Sequence, residues 1–418
     1  MSLGSALLGS AADRMAQEPI VSRRAVLQAA ALGVGGLLLD ACTPTPSPPT
    51  GSAGSSGAPA TQIPASTPQS PAQSPNPVPL RQRIARLLVV GFRGLRVEAD
   101  DWIAGNIAVD GLGGVILFDK DRSQPRRNVR TPRQVTNLVA DLKALAPERE
   151  LIVAIDQEGG LVTRLSPEYG FPAVESEEAI GPAGDEAVTA WAEGLVATLA
   201  EVGVNLNLAP VVDLNVNRKN PAIGALDRAF SADPAVVARD AAIEIQAHRA
   251  AGVRTAVKHF PGFGSATSNT DFGVADVTKT WTQRELDPYR DLLGRGLVDV
   301  IMAGHVVNGQ IDPSAPASLS RGTVTDLLRG ELGWDGPVIT DDLQAGAITD
   351  AFGSEDAVAL AVDAGNDLLL FANQQVYDPD IVGWAVDLIE GFVTTGRISE
   401  ARIDKSYDRV TALFSKGG

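Results

Sequence analysis

The stretch Leu151-Ile152-Val153-Ala154-Ile155-Asp156-Gln157-Glu158-Gly159-Gly160 decides how the chain is to be read. Its apolar residues run without interruption and then give way to two acids, an amide and two glycines. An amphipathic helix would break such a run every third or fourth position, and a half-exposed strand would alternate. An unbroken run is what a strand covered on both faces shows. Seven further runs share the pattern, at 87–92, 112–118, 204–209, 253–258, 298–303, 337–341 and 367–371. Segments of helical period lie between them. The clearest opens at Thr131, has Pro132 at the first helical position and Gln134 completing a capping box, and sets Val135, Leu138, Val139, Leu142 and Leu145 on one face. Residues 186–202, 234–251 and 355–364 read as helices in the same way. Alternation of this kind from residue 80 to 418 predicts an α/β fold, a single (β/α)8 barrel of the TIM type. An open doubly wound sheet is the alternative, but no G-x-G-x-x-G turn follows the first run.

The 418 residues are 44% hydrophobic and 21% charged, enough apolar material for a large core. A net charge of −16 repels phosphate backbones, which argues against nucleic acid as a partner. One cysteine excludes an internal disulfide, and the three histidines show no metal-ligand spacing, so neither metal nor cofactor is expected. Nothing in the composition sets an oligomeric state.

The first 79 residues differ in kind. Arg23 and Arg24 precede an uncharged stretch from Ala25 to Leu39, too short to span a bilayer, and Leu39-Asp40-Ala41-Cys42 resembles a lipobox. Residues 1–41 are therefore expected to be a twin-arginine-like lipoprotein signal, with Cys42 as the lipidation site and Asp40 as the one charge that the pattern does not favour. Residues 42–79, rich in Pro, Ser, Thr and Ala, read as a solvated linker that holds the domain at 80–418 away from a membrane to which only the lipid attaches it. The expected location is the outer face of the cytoplasmic membrane.

In a barrel, chemistry sits where the strands end. Asp156-Gln157-Glu158, Lys258-His259, His305 and Asp341-Asp342 all follow apolar runs. An isolated strand-end aspartate often only caps the next helix, but four such ends converge here. His248, within a helical segment, reads as a surface residue.

In their order, Leu87–Phe92, Ile155-Asp156-Gln157-Glu158-Gly159-Gly160, Lys258-His259-Phe260-Pro261-Gly262 and Val338-Ile339-Thr340-Asp341-Asp342-Leu343 resemble family 3 glycoside hydrolases, in the single-domain β-N-acetylglucosaminidase branch. The signal and linker resemble the lipoprotein type of that branch. The resemblance implies a retaining exo-hydrolase of terminal β-linked N-acetylglucosamine in cell-wall or related glycans. Asp341 would be the nucleophile, and Asp156, Arg228, Lys258 and His259 would hold the sugar, with His305 in support. Period-2 alternation along a strand leads us to expect that only one of Asp341 and Asp342 faces the axis, which argues against a paired-carboxylate, substrate-assisted reaction.

One loop departs from the family. Where relatives read Lys-His-Phe-Pro-Gly-His-Gly-Asp-Thr-x-x-Asp-Ser-His, this chain places Asn269 at the aspartate and Asp271 at the histidine of the acid/base dyad. Asp271 is then expected to be the general acid/base, its proton favoured by the ionised Asp341, with Asn269 orienting its carboxyl. Asp276 is the alternative acid. The departure also admits a non-catalytic sugar-binding lipoprotein, and the barrel alone admits a β-glucosidase.

Overall fold

A computed structural model describes residues 77–121 and 126–415. The expected signal, Cys42 and nearly all of the linker lie outside the described residues. No helix among those described is long and apolar enough to cross a membrane.

Eight strands form one parallel sheet: β1 (Leu88–Gly91), β2 (Gly114–Leu117), β3 (Ile152–Ile155), β4 (Leu206–Asn207), β5 (Arg254–Phe260), β6 (Val300–Ala303), β7 (Val338–Thr340) and β8 (Leu369–Phe371). Each falls within or overlaps one of the eight runs. The hydrogen-bonded order is β7-β6-β5-β4-β3-β2-β1-β8. A parallel bridge between Ile339 and Leu368 joins the two ends, and Leu370 N donates to Thr340 Oγ1 at 3.0 Å, so the sheet closes into a barrel. Every residue of β1, β2, β3, β6, β7 and β8 is buried, as strands enclosed by side-chain layers within and helices without must be. β4 is short, and beyond it Pro210, which has no N–H to give, accepts the Lys258 N–H at 3.2 Å before a parallel bridge between Val211 and Lys258 resumes the pairing with β5.

The helices α1 (Leu80–Ala85), α2 (Pro132–Ala144), α3 (Asp185–Val202), α4 (Pro234–Ala250), α5 (Asp287–Gly294), α6 (Ser354–Ala364), α7 (Ile381–Thr394) and α8 (Glu400–Ser415) surround the barrel. In α2, Thr131 accepts the Gln134 N–H while Gln134 Oε1 reaches back to the Arg130 N–H at 2.9 Å. Val135, Leu138, Val139 and Leu142 are buried on its inner face. At the start of β8 the buried Asp367 takes Arg329 at 2.6 Å, Arg409 at 3.3 Å and Arg402 at 3.4 Å, tying α8 to the barrel at the end away from the strand termini that carry the site.

His248 is not at the surface. It is fully buried on the inner face of α4, with Nδ1 at 2.8 Å from the Glu244 carbonyl and Nε2 at 3.1 Å from Asn207 Nδ2. The carbonyl requires a proton on Nδ1, so Nε2 accepts from Asn207, and burial pushes this neutral ring down to about 4. Its helical context carries no sign of this, since α4 has apolar residues on most of its circumference.

Candidate active site

The carboxyl ends of the strands surround a cavity of about 300 Å³ lined by residues that include Asp156, Arg164, Arg228, Lys258, His259, Asp271, Asp341 and Asp342. One wall is a buried ion network. Lys258, the fifth residue of β5, points Nζ at Asp156 Oδ1 (2.9 Å) and Glu158 Oε1 (2.6 Å). Arg228 grips Glu158 with two bonds, Nε to Oε2 at 2.7 Å and Nη2 to Oε1 at 2.8 Å, and gives Nη1 to the Ala222 carbonyl. Arg164, from the hairpin Gln157–Gly159/Val162–Thr163, reaches Asp156 Oδ2 at 3.3 Å.

Burial alone would raise the carboxyls of Asp156 and Glu158. The adjacent cations more than offset it: Lys258 and Arg164 hold Asp156 well below the ordinary carboxylate range, and Arg228 and Lys258 do the same for Glu158. Burial works against the charge of Lys258 and Arg228 too, and the same anions hold both above their usual values. The wall therefore stays fully charged, with fixed donors and acceptors suited to vicinal hydroxyls.

Beside it, Asp213 Oδ2 takes His259 Nδ1 at 2.7 Å and Asp213 Oδ1 takes the Phe263 N–H at 2.7 Å, which fixes the His259 ring and the start of the loop after β5. Asp341 follows β7. Burial raises its carboxyl, but His305, His259 and the Asp342 N–H at 2.8 Å together bring it below the ordinary value, so it is ionised and available. Asp341 and Asp342 both line the cavity, contrary to the expectation from alternation. β7 ends at Thr340, and beyond the ladder the period of two no longer governs. The two carboxyls are nonetheless unlike. Asp342 Oδ1 is clamped by the N–H groups of Ala372 (2.9 Å) and Gln344 (3.1 Å), and burial pushes the group up to about 7. His305 donates Nε2–H to the Asp342 carbonyl at 2.8 Å and takes Ser318 Oγ on Nδ1 at 2.7 Å, which steadies the backbone behind Asp341.

Asp271 reaches the cavity from an exposed loop tip. Asn269 does not orient its carboxyl in the expected way; Asn269 Oδ1 accepts the Asp271 backbone N–H at 3.0 Å, a turn in the chain itself. The tip is tied down by Gly346 N to the Asp271 carbonyl (3.2 Å) and Ala347 N to the Thr270 carbonyl (3.0 Å). The alternative acid, Asp276, is exposed on a short strand, does not line the cavity and accepts the Thr278 N–H. Among the described residues, no three His, Cys, Asp or Glu side chains are grouped to hold a metal ion.

Sequence reasoning gave no role to Glu158, Arg164 or Asp213. Glu158 had a signal: two residues beyond Asp156, it shares that residue's side of the chain. Asp213 lies past Pro210, beyond the run taken for β4.

Residues 79–413 match the profile described as "Glycosyl hydrolase family 3 N terminal domain". The chain belongs to glycoside hydrolase family 3. A curated relative, a beta-hexosaminidase of Stenotrophomonas maltophilia (strain R551-3), is 34% identical over 315 residues, which cover 73% of this chain and 87% of the relative. Among solved structures, a family 3 beta-N-acetylglucosaminidase from Paenibacillus sp. str. FPU-7 superposes with a TM-score of 0.74 at 37% identity; the match covers 81% of this chain and 62% of that one. The beta-N-acetylhexosaminidase of Beutenbergia cavernae DSM 12333 gives 0.72 at 32% identity, with 81% and 99% covered. M tuberculosis LpqI gives 0.69 at 29%, with 82% and 94% covered. The family 3 barrel thus accounts for nearly all of the described residues.

Proposed function

We propose that this chain is an exo-acting, retaining β-N-acetylglucosaminidase that removes terminal β-linked N-acetylglucosamine from cell-wall fragments or related oligosaccharides. The observation that carries the reading is one cavity in which the ionised Asp341 lies with the Asp156–Lys258–Glu158–Arg228 wall and with Asp271. About 300 Å³ suits a single terminal sugar. The Paenibacillus structure is named a beta-N-acetylglucosaminidase, and the Stenotrophomonas relative and the Beutenbergia structure are named a beta-hexosaminidase and a beta-N-acetylhexosaminidase, which supports the reading.

Asp341 attacks the anomeric carbon while Asp271 protonates the departing oxygen, giving a covalent glycosyl ester. Asp271 then takes a proton from water as that water displaces Asp341, and configuration is retained. A carboxylate base repels anionic phosphate, so water is the acceptor. The exported, lipid-anchored location through Cys42 belongs to the same reading and rests on the sequence of residues 22–42.

The test offers the domain from residue 80 a chromogenic β-N-acetylglucosaminide and a β-glucoside in parallel. Turnover of the first alone is expected, with no activity in Asp341→Ala and a slow 2-fluoro sugar trapped on Asp341. Turnover of the glucoside alone points to a β-glucosidase, and turnover of neither to a binding protein. For the anchor, Cys42→Ala should release the protein from the membrane fraction.

A further inference from the structure

Just outside the cavity, two large apolar side chains stand out from the surface, Phe272 at 69% exposure and Val376 at 70%. Phe272 follows Asp271 in the chain and Val376 follows Gln375. Asp271 and Gln375 line the cavity, whereas Phe272 and Val376 do not, so a terminal sugar held inside leaves both uncovered. The two segments are joined, because Gln375 Nε2 donates to the Asp271 carbonyl at 3.4 Å, and Gln375 Oε1 is left without a partner among the described residues. Both segments are also held at the main chain. The Phe272 N–H donates to the Asn269 carbonyl at 3.2 Å, and Gln344 Nε2 donates to the Val376 carbonyl at 3.2 Å. Gly346 packs so closely under the tip that a Cβ there would stand 3.2 Å from the Phe272 carbonyl carbon and 3.1 Å from the Asp271 carbonyl oxygen. Exposed apolar side chains on an anchored main chain make a contact surface that loses little freedom on binding.

We propose that Phe272, with Val376 and the Gln375 amide, forms a leaving-group subsite for a pyranose ring, and that the enzyme favours substrates with a second sugar beyond the scissile bond. The proposal rests on Asp271 as the general acid. An acid in that role comes within about 2.6–3.2 Å of the bridging oxygen. The first ring of the leaving group is bonded to that oxygen, so it emerges beside Asp271 and meets the side chains that flank Asp271 outside the cavity. A pyranose presents a face of C–H groups rimmed by hydroxyls. The face suits the Phe272 ring and the Val376 methyls, and a hydroxyl suits the open acceptor of Gln375. An alkyl chain would cover the same apolar atoms but leave that amide oxygen covered and unpaired, at a cost in binding. Phe272 is thus a specificity residue, reached only by substrates that extend past the cavity.

The test compares methyl β-N-acetylglucosaminide with N,N′-diacetylchitobiose, which share the cleaved sugar and an aliphatic leaving oxygen and differ in the second ring. In the wild type, kcat/KM should be about tenfold higher for the disaccharide. Phe272→Ala should lower that ratio to near one, and Phe272→Trp should keep most of it. An equal loss on both substrates would mean that Phe272 only supports the acid/base tip, and an unchanged ratio would mean that the second ring lies elsewhere; either result overturns the subsite. Calorimetric titration of Asp341→Ala with the same two ligands reads the contact without turnover. The disaccharide should bind about tenfold more tightly, and adding Phe272→Ala should bring the two Kd values together. Disaccharide binding that depends on Phe272, in a protein whose wild type turns over neither compound, would sink the proposed hydrolase and leave the second-sugar contact standing. Turnover of both compounds with equal Kd values would do the reverse. Binding of neither ligand would remove the sugar site and the subsite with it.

Discussion

The two sides of the cavity are built by opposite means. On one, the β3 loop, Lys258 and Arg228 bury five charges in a network whose members hold one another in place. On the other, Asp271 stands on an exposed tip held by bonds to its main chain from Asn269, Gly346 and Ala347. The first side recognises a ground-state feature, hydroxyls at fixed positions, and gains from rigidity. The second must exchange protons with a leaving group and with water, and a solvent-accessible carboxyl does so without desolvation. Substitutions on the first side should therefore damage folding together with binding, and those on the second should damage rate alone.

The largest expected effect is on rate. Asp271→Ala should lower kcat on an unactivated glycoside by about 10²- to 10⁴-fold, the usual worth of general acid–base catalysis, with unfolding unchanged. On an activated aryl substrate, sugar transfer to Asp341 should survive, deglycosylation should stall, and azide should restore turnover as a β-glycosyl azide. Wild-type rates on the unactivated substrate would remove Asp271 from the mechanism.

Lys258→Met tests the other side. It leaves Asp156 and Glu158 buried with one cation fewer, and breaking a buried pair in this way costs about 3–5 kcal/mol. Urea unfolding should show a loss of that order. A loss confined to KM, with stability intact, would mean that the network is less tightly coupled than its geometry implies.

His248 gives a smaller effect that appears only in acid. Burial lowers the folded group to about 4, whereas an unfolded histidine titrates near 6.5. Between these values the unfolded chain binds a proton that the native ring refuses, so the contribution is complete above pH 6.5 and is lost as the pH falls through this window. The loss amounts to about 3 kcal/mol by pH 4. Comparing pH-dependent unfolding with His248→Gln, which cannot titrate, should show the wild type losing more stability than the variant. Parallel curves would refute it.

The two sides also differed in how far the sequence revealed them. Eight apolar runs announced the strands, since burial on both faces leaves no other composition available. Asp156, Lys258 and Asp341 were legible because they end such runs. The ion pairs that Glu158 makes, the Asp213–His259 bond and the buried His248–Asn207 contact were not, because they join elements far apart in the chain, and each of Glu158, Asp213 and His248 sits in a segment whose local pattern is satisfied without it. Asp342 was misjudged by carrying strand alternation two residues past the ladder, which ends at Thr340.

The smallest effect separates a turn from an orienting hydrogen bond. Asn269 was expected to act on the Asp271 carboxyl, and its Oδ1 instead takes the Asp271 N–H at 3.0 Å. A part-exposed neutral hydrogen bond contributes about 0.5–1.5 kcal/mol, so if the whole loss reaches the transition state, Asn269→Ala should lower kcat/KM by only about 2- to 13-fold. Because the bond is to the main chain, the alkaline limb of the kcat/KM profile, where Asp271 loses its proton, should stay where it is. Asn269→Asp keeps the acceptor, and with it the turn, but sets a negative charge two residues from the acid/base. Its rate should stay near wild type at the optimum while the limb governed by Asp271 moves to higher pH, as a like charge disfavours ionisation. Profiles of kcat/KM for the three proteins decide the matter. If Asn269→Ala displaces the limb as Asn269→Asp does, the asparagine acts on the carboxyl and the turn assignment fails. If neither variant differs from wild type, Gly346, Ala347 and Gln375, whose Nε2 donates to the Asp271 carbonyl at 3.4 Å, hold the tip without help from Asn269, and the exposed side of the cavity is stiffer than the Asn269 bond suggests.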